Sequence, residues 1–292
     1  MTTKKISPAR QMKNAVLSAK RGGTRQIKFY ADLAAKRGEM RKNMSNEIRI
    51  EDCVQEFFGA VAPKSQVEIL GLSAFCSAGV VTGDESKSLV EGIFGVAVST
   101  GDESSSEVLG GKAVAVSTGY KGTAITAESG LRSAAVTTAD DSTASSKQKC
   151  GVAVSTGDDS NSSSKGIRGV SIATGYESVS NSYGEKSVSV GNAYRNAVSA
   201  MAAESIAVAW GPGSKAKGAI GAYLVLSEWK YTGKWYDREY ESATVWADKW
   251  KLVGQKFVLV DGTVIKADTW YQLVSGEVKE IKEDDDDSDV QK

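Results

Sequence analysis

Three sets of residues in this 292-residue chain have the types and spacing to do chemistry. Asp84, Asp102, Asp140, Asp141 and Asp158 recur along residues 78 to 222. Stacked carboxylates can hold Ca²⁺. The unit lacks the glycine-rich, Asp-bearing nonapeptide of calcium-binding rolls, and Tyr120 and Tyr176 replace Asp in two turns. The reading is a solvated corner, with no metal site assigned. Thr82, Thr100, Thr118, Thr138, Thr156 and Thr174 form a second series, a hydroxyl ladder of the kind an ice-binding face would need. The third set is aromatic: all six tryptophans, Trp210, Trp229, Trp235, Trp246, Trp250 and Trp270, lie in the last third. Trp229, Trp235, Trp246 and Trp250 are the candidate partner- or glycan-binding residues, because aromatic rings stack on apolar ligand faces. The competing reading is that they build a core for a small domain.

The chain has no histidine, which removes Ser-His-Asp, Cys-His and His-metal sites together. Cys53, Cys76 and Cys150 are far apart and form no CxxC pair, which fits buried thiols in a reducing compartment. No non-repetitive pair of acids marks a glycosidase cleft. Repeated groups seldom build one active site, since every turn offers the same ones. The expectation is a non-enzyme with no catalytic, cofactor-binding or metal-binding residues.

These residues must be positioned by a repeat. The unit Val-Ala-Val-Ser-Thr-Gly or a close variant begins at 78, 96, 114, 134, 152, 170, 188 and 206, in steps of 18 with one of 20. A short fixed period means stacked units. Strict alternation within the unit marks a strand. Positions one, three and five hold Val, Val and Thr, and the valines are read as facing inward, with the Thr ladder sharing their parity. That parity argues against ice binding. Positions two and four hold small residues such as Ala97 and Ser99. A corner follows at Gly83, Gly101, Gly119, Gly157 and Gly175, where a tight turn needs glycine's freedom. A second small-residue column, Ser86, Ser104, Ser142, Ser160, Ser178 and Ser214, opens the next strand, and Gly92, Gly110, Gly166 and Gly184 mark a second corner.

Two strands and two corners per turn predict a parallel β-roll, or β-solenoid, of about eight turns and roughly 40 Å. The extra two residues before Thr138 keep parity, so the faces are not swapped. The small interior columns bury little apolar area at roughly 25 cal/mol per Å². A rod this slim needs caps and lateral association. The expected state is a homotrimer or a rod docked on a larger body.

The fold expected is mainly β, with flanks of different character. Residues 1–46 carry twelve Lys or Arg against Asp32 and Glu39, a local balance of +10. Ser7-Pro8 opens a helix through Lys20, and a second helix spans 26 to 37. This basic helical arm, with Arg10, Lys13, Lys20, Arg21, Arg25 and Lys28, is read as a docking arm rather than a specific nucleic-acid binder. Residues 47–77 are read as the N-terminal cap. Residues 223–282 alternate in short apolar runs, with Asp261-Gly262 and Ser275-Gly276 as hairpin turns, and predict a small antiparallel β domain. Residues 283–292 form an acidic tail. Met1 to Gly23 lacks an apolar signal core, and no stretch approaches the ~20 apolar residues of a membrane span. Export by the general secretory route is therefore not expected.

The Val-Ala-Val-Ser-Thr-Gly unit and the run Ser205 to Gly211 resemble the β-roll repeats of trimeric autotransporter adhesin heads, which have shorter units and are secreted. A second resemblance covers residues 78 to 282. It rests on the run 209–218 (Ala-Trp-Gly-Pro-Gly-Ser-Lys-Ala-Lys-Gly), Leu224 to Trp229, Val260-Asp261-Gly262 and Ile265 to Tyr271. In that order these pieces are similar to an uncharacterised family of phages and prophages of gut Bacteroidetes. The resemblance implies a phage-encoded protein and transfers no catalytic residues. The expectation is a virion protein made in the host cytoplasm: a head fibre, spike or capsid decoration, held to a capsid or other virion protein by its arm. The alternative is an adhesin-like module that binds a host-surface glycan through its tryptophans.

Overall fold

The structure, a computed structural model, describes residues 40–41, 47–51, 55–60, 63–70, 76–127, 130–233 and 249–281. The expected helical arm and acidic tail lie outside those residues, except that Met40–Arg41 pairs antiparallel with Glu47–Glu51. The described residues contain no helix, and so none long and apolar enough to cross a membrane.

Each repeat contributes one strand to each of two sheets. The first sheet takes Val96, Val114, Ala134, Val152, Val170, Val188 and Ile206 in one continuous parallel register. The second takes Ser105, Thr123, Thr143, Asn161, Val179, Ala197 and Lys215 in the same way. The sheets have 11 and 13 strands, and through the repeat neighbours within each are alternate strands of the sequence. That is the signature of a chain winding around an axis. The two extra residues sit in the corner between Thr126 and Ala134, and the register of Val114 to Ala134 shows that neither face is swapped.

The parity reading is corrected. Ala97, Ala115, Ala135 and Ala153 are buried, as are Ser99, Ser117 and Ser155, whereas Val96 is 37% exposed. Position two and four residues line the bore; the Val and Thr columns face out. Short corners hold the sheets close, and the bore has no room for more. A Cβ added to Gly95 would meet Val90 and Val108 side chains at 2.9 and 3.0 Å. On a close-packed interior of this width, Ala, Ser and Gly are the residues that fit.

Larger buried side chains gather at the two ends. Val67, Ile69, Val81, Val90 and Val108 fill the N-terminal part, and Leu224, Leu226, Val260, Tyr271 and Leu273 the C-terminal part. Between them the bore is lined mainly by alanines and serines, with Gln148 and Asn196 buried among them. Ser162 and Ser171 lie 2.6 Å apart, Ser180 donates to Ser171 at 3.0 Å, and Ser180 and Ser189 lie 2.9 Å apart. Buried hydroxyls that bond each other offset much of their desolvation cost.

Both flanks of the repeat merge with the roll. In the 47–77 segment, Glu47–Glu51 and Gln66–Leu70 pair in parallel in the second sheet, while Gln55–Ala60 joins the first. At the other end Tyr223–Tyr231 continues the first sheet beside Ile206–Ala209 and then pairs antiparallel with Trp250–Leu259. Trp270–Val274 and Glu277–Ile281 form an antiparallel hairpin that extends the second sheet. Its two-residue turn is Ser275-Gly276, both at positive φ (54° and 76°), as a type I′ turn requires. Asp261-Gly262 is a turn but not a hairpin: residues 260–269 form an irregular loop, so the alternating run Thr263 to Ala267 makes no strand.

Candidate functional site

The corners carry the carboxylates. At the first corner Asp84 Oδ1 accepts the backbone N–H of Asp102, and Asp102 Oδ1 that of Tyr120. Asp140 and Asp158 do the same for Asp158 and Tyr176, at 2.9 and 2.7 Å. The aspartates therefore hold rungs together, one rung to the next. No group of three or more acids or cysteines suited to a metal ion occurs among the described residues. Most corners also turn through a non-glycine residue at positive φ, including Glu103, Lys121, Asp141, Asp159 and Glu177, while glycine takes that place at Gly213 and Gly221. The N–H groups of these non-glycine residues donate to the next rung's carbonyl, as Glu103 does to Tyr120 at 2.7 Å and Asp159 to Tyr176 at 2.9 Å. These bonds compensate a conformation that costs roughly 1–2 kcal/mol per residue.

A serine column completes the corner. Ser104 Oγ accepts the N–H of Ser86 and donates to the carbonyl of Gly83 at 2.9 Å. Ser160 and Ser178 repeat the pattern, and Asn196 takes the acceptor role for Ser178. In the most acidic stretch the carboxylates act on one another. Partial desolvation, then Glu177, Asp141, Asp158 and Asp140, push the Asp159 carboxyl above its usual range. Tyr120 donates to Asp141 Oδ2 at 2.6 Å, and that bond raises its phenol.

The tryptophans separate into distinct groups. Trp229 packs edge-on against Trp210 at 6.3 Å and donates its indole N–H to Ser227 Oγ. Trp250 sits among Tyr231 and Tyr194, at 5.3 and 5.8 Å between centroids, and Tyr194 stacks on Tyr176 at 5.3 Å. Trp270 lies beneath Lys215 and Lys217. Trp235 and Trp246 lie outside the described residues, so the four-tryptophan platform is represented by Trp229 and Trp250 alone. Tyr176, Tyr194 and Tyr231 are the missed members of the Trp250 group. Tyr in place of Asp at the corner of a repeat was the only sequence signal for Tyr176 and Tyr194, whereas Tyr231 ends the strand Tyr223–Tyr231. The docking-arm residues Arg10, Lys13, Lys20, Arg21, Arg25 and Lys28 are likewise outside the described residues.

The outer face of the first sheet is continuous from rung to rung. Val96, Val98 and Thr100 are followed one rung on by Val114, Val116 and Thr118, and the pattern runs through Val152, Val154 and Thr156 to Val170, Ile172 and Thr174. Val225 lies opposite Phe257 and Tyr223 opposite Leu259, so the columns continue onto the final strand. There Tyr223 stacks on Phe257 at 4.9 Å and 6°. Phe257 is 62% exposed and Leu259 45%.

Compared with known protein families, curated proteins and solved structures, the chain matches none.

Proposed function

We propose that this chain is a non-catalytic structural protein of a phage particle, a fibre, spike or capsid decoration that assembles as a homotrimer. The carrying observation is the uniform stack: both corners and both strands repeat closely similar groups rung after rung. A rod of this kind serves by its length and its surface. The segments after residue 208 that resemble the phage and prophage family support the phage assignment. The basic arm, residues 1–46, supports docking to an acidic site on a capsid or other virion protein. Light scattering coupled to gel filtration tests assembly: a mass of three chains is expected, and a clean monomer overturns the trimer. Antibody against the roll should label purified particles from a host carrying the gene. Unlabelled particles would overturn the virion role.

The aromatic group around Trp250 favours a second reading, an adhesin-like module for a host-surface glycan. Tyr176 is 38% exposed beside it, leaving ring surface open to a ligand. Glycan-array binding that disappears on Trp250→Ala would support this reading; an array with no binding would sink it.

A further inference from the structure

We infer that copies of this chain meet on the outer face of the first sheet, running parallel and in rung register. The inference rests on the self-assembly proposed above and assigns its surface. Its first ground is an inversion. Proteins bury Val and Ile and expose Ser; here Ser99, Ser155, Ser162, Ser171, Ser180 and Ser189 are buried, while the β-branched apolar side chains stand on the outside. Apolar volume arranged in two columns over nine strands is a contiguous patch of the kind that marks an association site.

Charge supplies the second ground. From Val96 to Trp210 the three outward columns of the first sheet hold no charged residue. The outward positions of the second sheet carry Lys87, Glu91, Glu107, Lys147, Lys165, Lys215 and Lys217. One sheet is dressed for water and the other is not.

Area and periodicity point to a second copy as the occupant. Nine strands about 4.8 Å apart, with three columns about 6.7 Å apart, give a face of roughly 40 by 15 Å, or about 600 Å². Two such faces bury about 1,200 Å² in total, within the range of specific interfaces. A second copy carries the same rung spacing, so its ridges match these grooves along the whole length. Trp210 and the Tyr223–Phe257 stack occur once, at one end. They meet each other only when the copies point the same way and are aligned.

The test uses the full chain. The variant Val154→Lys/Val190→Lys places two charges on the face at outward positions, and Ser145→Lys/Ser163→Lys places two on the opposite sheet. The expected result is a multi-chain wild type, a monomeric face variant with an unchanged β spectrum, and an opposite-face variant of wild-type mass. A multi-chain face variant overturns the inference and leaves self-assembly to another surface. A monomeric wild type overturns both. If the face variant does not fold, a benzophenone amino acid at position 154 gives an independent reading. Cross-links to the neighbour's residues 152–156 are expected, and links only to distant rungs or to the second sheet overturn the register.

Discussion

Val154 and Ser163 occupy equivalent outward positions on the two sheets of one turn, and they summarise how differently the sheets meet solvent. Around Val154 the neighbouring rungs offer Val136 and Ile172; around Ser163 they offer Ser145 and Asn181. The interior cannot explain the contrast, because both sheets turn the same small residues inward. What differs is only the outer side of a shared bore. A roll with an Ala and Ser interior has little apolar surface to bury inside, so one outer side holds the apolar surplus and the other holds the charge.

The largest change expected breaks both sheets at once. Gly157→Ala would place a methyl inside the van der Waals surface of the Ala139 carbonyl, in the stacked corner that joins them. Backbone cannot step aside without moving every later rung, so a loss of about 3 kcal/mol or more is expected in thermal unfolding followed by circular dichroism. A neighbouring pair sharpens inside against outside. Ala153→Leu overpacks the bore and should cost about 1–3 kcal/mol, whereas Val154→Leu, one residue on, should stay within about 0.5 kcal/mol. Equal losses would mean the parity assigned here is wrong. Ser160→Ala leaves the Ser142 N–H and the Ala139 carbonyl short of a partner, and should cost about 1–3 kcal/mol in denaturant unfolding.

The smallest effects are electrostatic and have opposite signs. Asp159, raised by desolvation and acidic neighbours, opposes folding when ionised, so its contribution improves as pH falls through its folded value. Asp159→Asn should raise the melting temperature slightly at neutral pH, and the gain should fade just above the ordinary carboxylate range. Asp261 accepts N–H groups from Thr263, Ile265 and Val264, which hold its carboxyl below that range. Its stabilisation is present above the ordinary carboxylate value and is lost as pH falls through the lowered one. Asp261→Asn should flatten the acid limb of a melting-temperature profile; an unchanged limb would remove the turn from the account.

Period, strand positions, corner glycines and the two-residue insertion were all legible in the sequence, because each follows from chain geometry. Parity within the first strand was not. Alternation states that Val154 and Ser155 face opposite ways but not which way is in, and the usual rule that larger apolar residues go inside fails in a bore this narrow. The serine column was a usable signal, since Ser142, Ser160 and Ser178 recur where a buried corner needs a compact hydroxyl. The Trp250 group was illegible for another reason. Tyr194 reaches Trp250 from a corner 56 residues earlier, and no local pattern encodes that meeting. The irregular loop after Val260 was also missed: three backbone N–H groups converge on Asp261, which outweighs the alternation of the residues that follow it.

The corner serines also impose an order in time. Ser86 presents its N–H to Ser104, and Ser142 to Ser160, so each turn is completed by the turn that comes after it. At roughly 5–20 residues per second, a ribosome delivers a turn about every one to four seconds, and throughout that interval the newest corner has an unmet donor and the newest strands have open edges. A nascent roll is thus always one turn short of satisfied until Trp250–Leu259 and the final hairpin close it. A message truncated anywhere in the repeat yields a product with an exposed, growth-competent end, and the closing strands act as the stop signal of the fold.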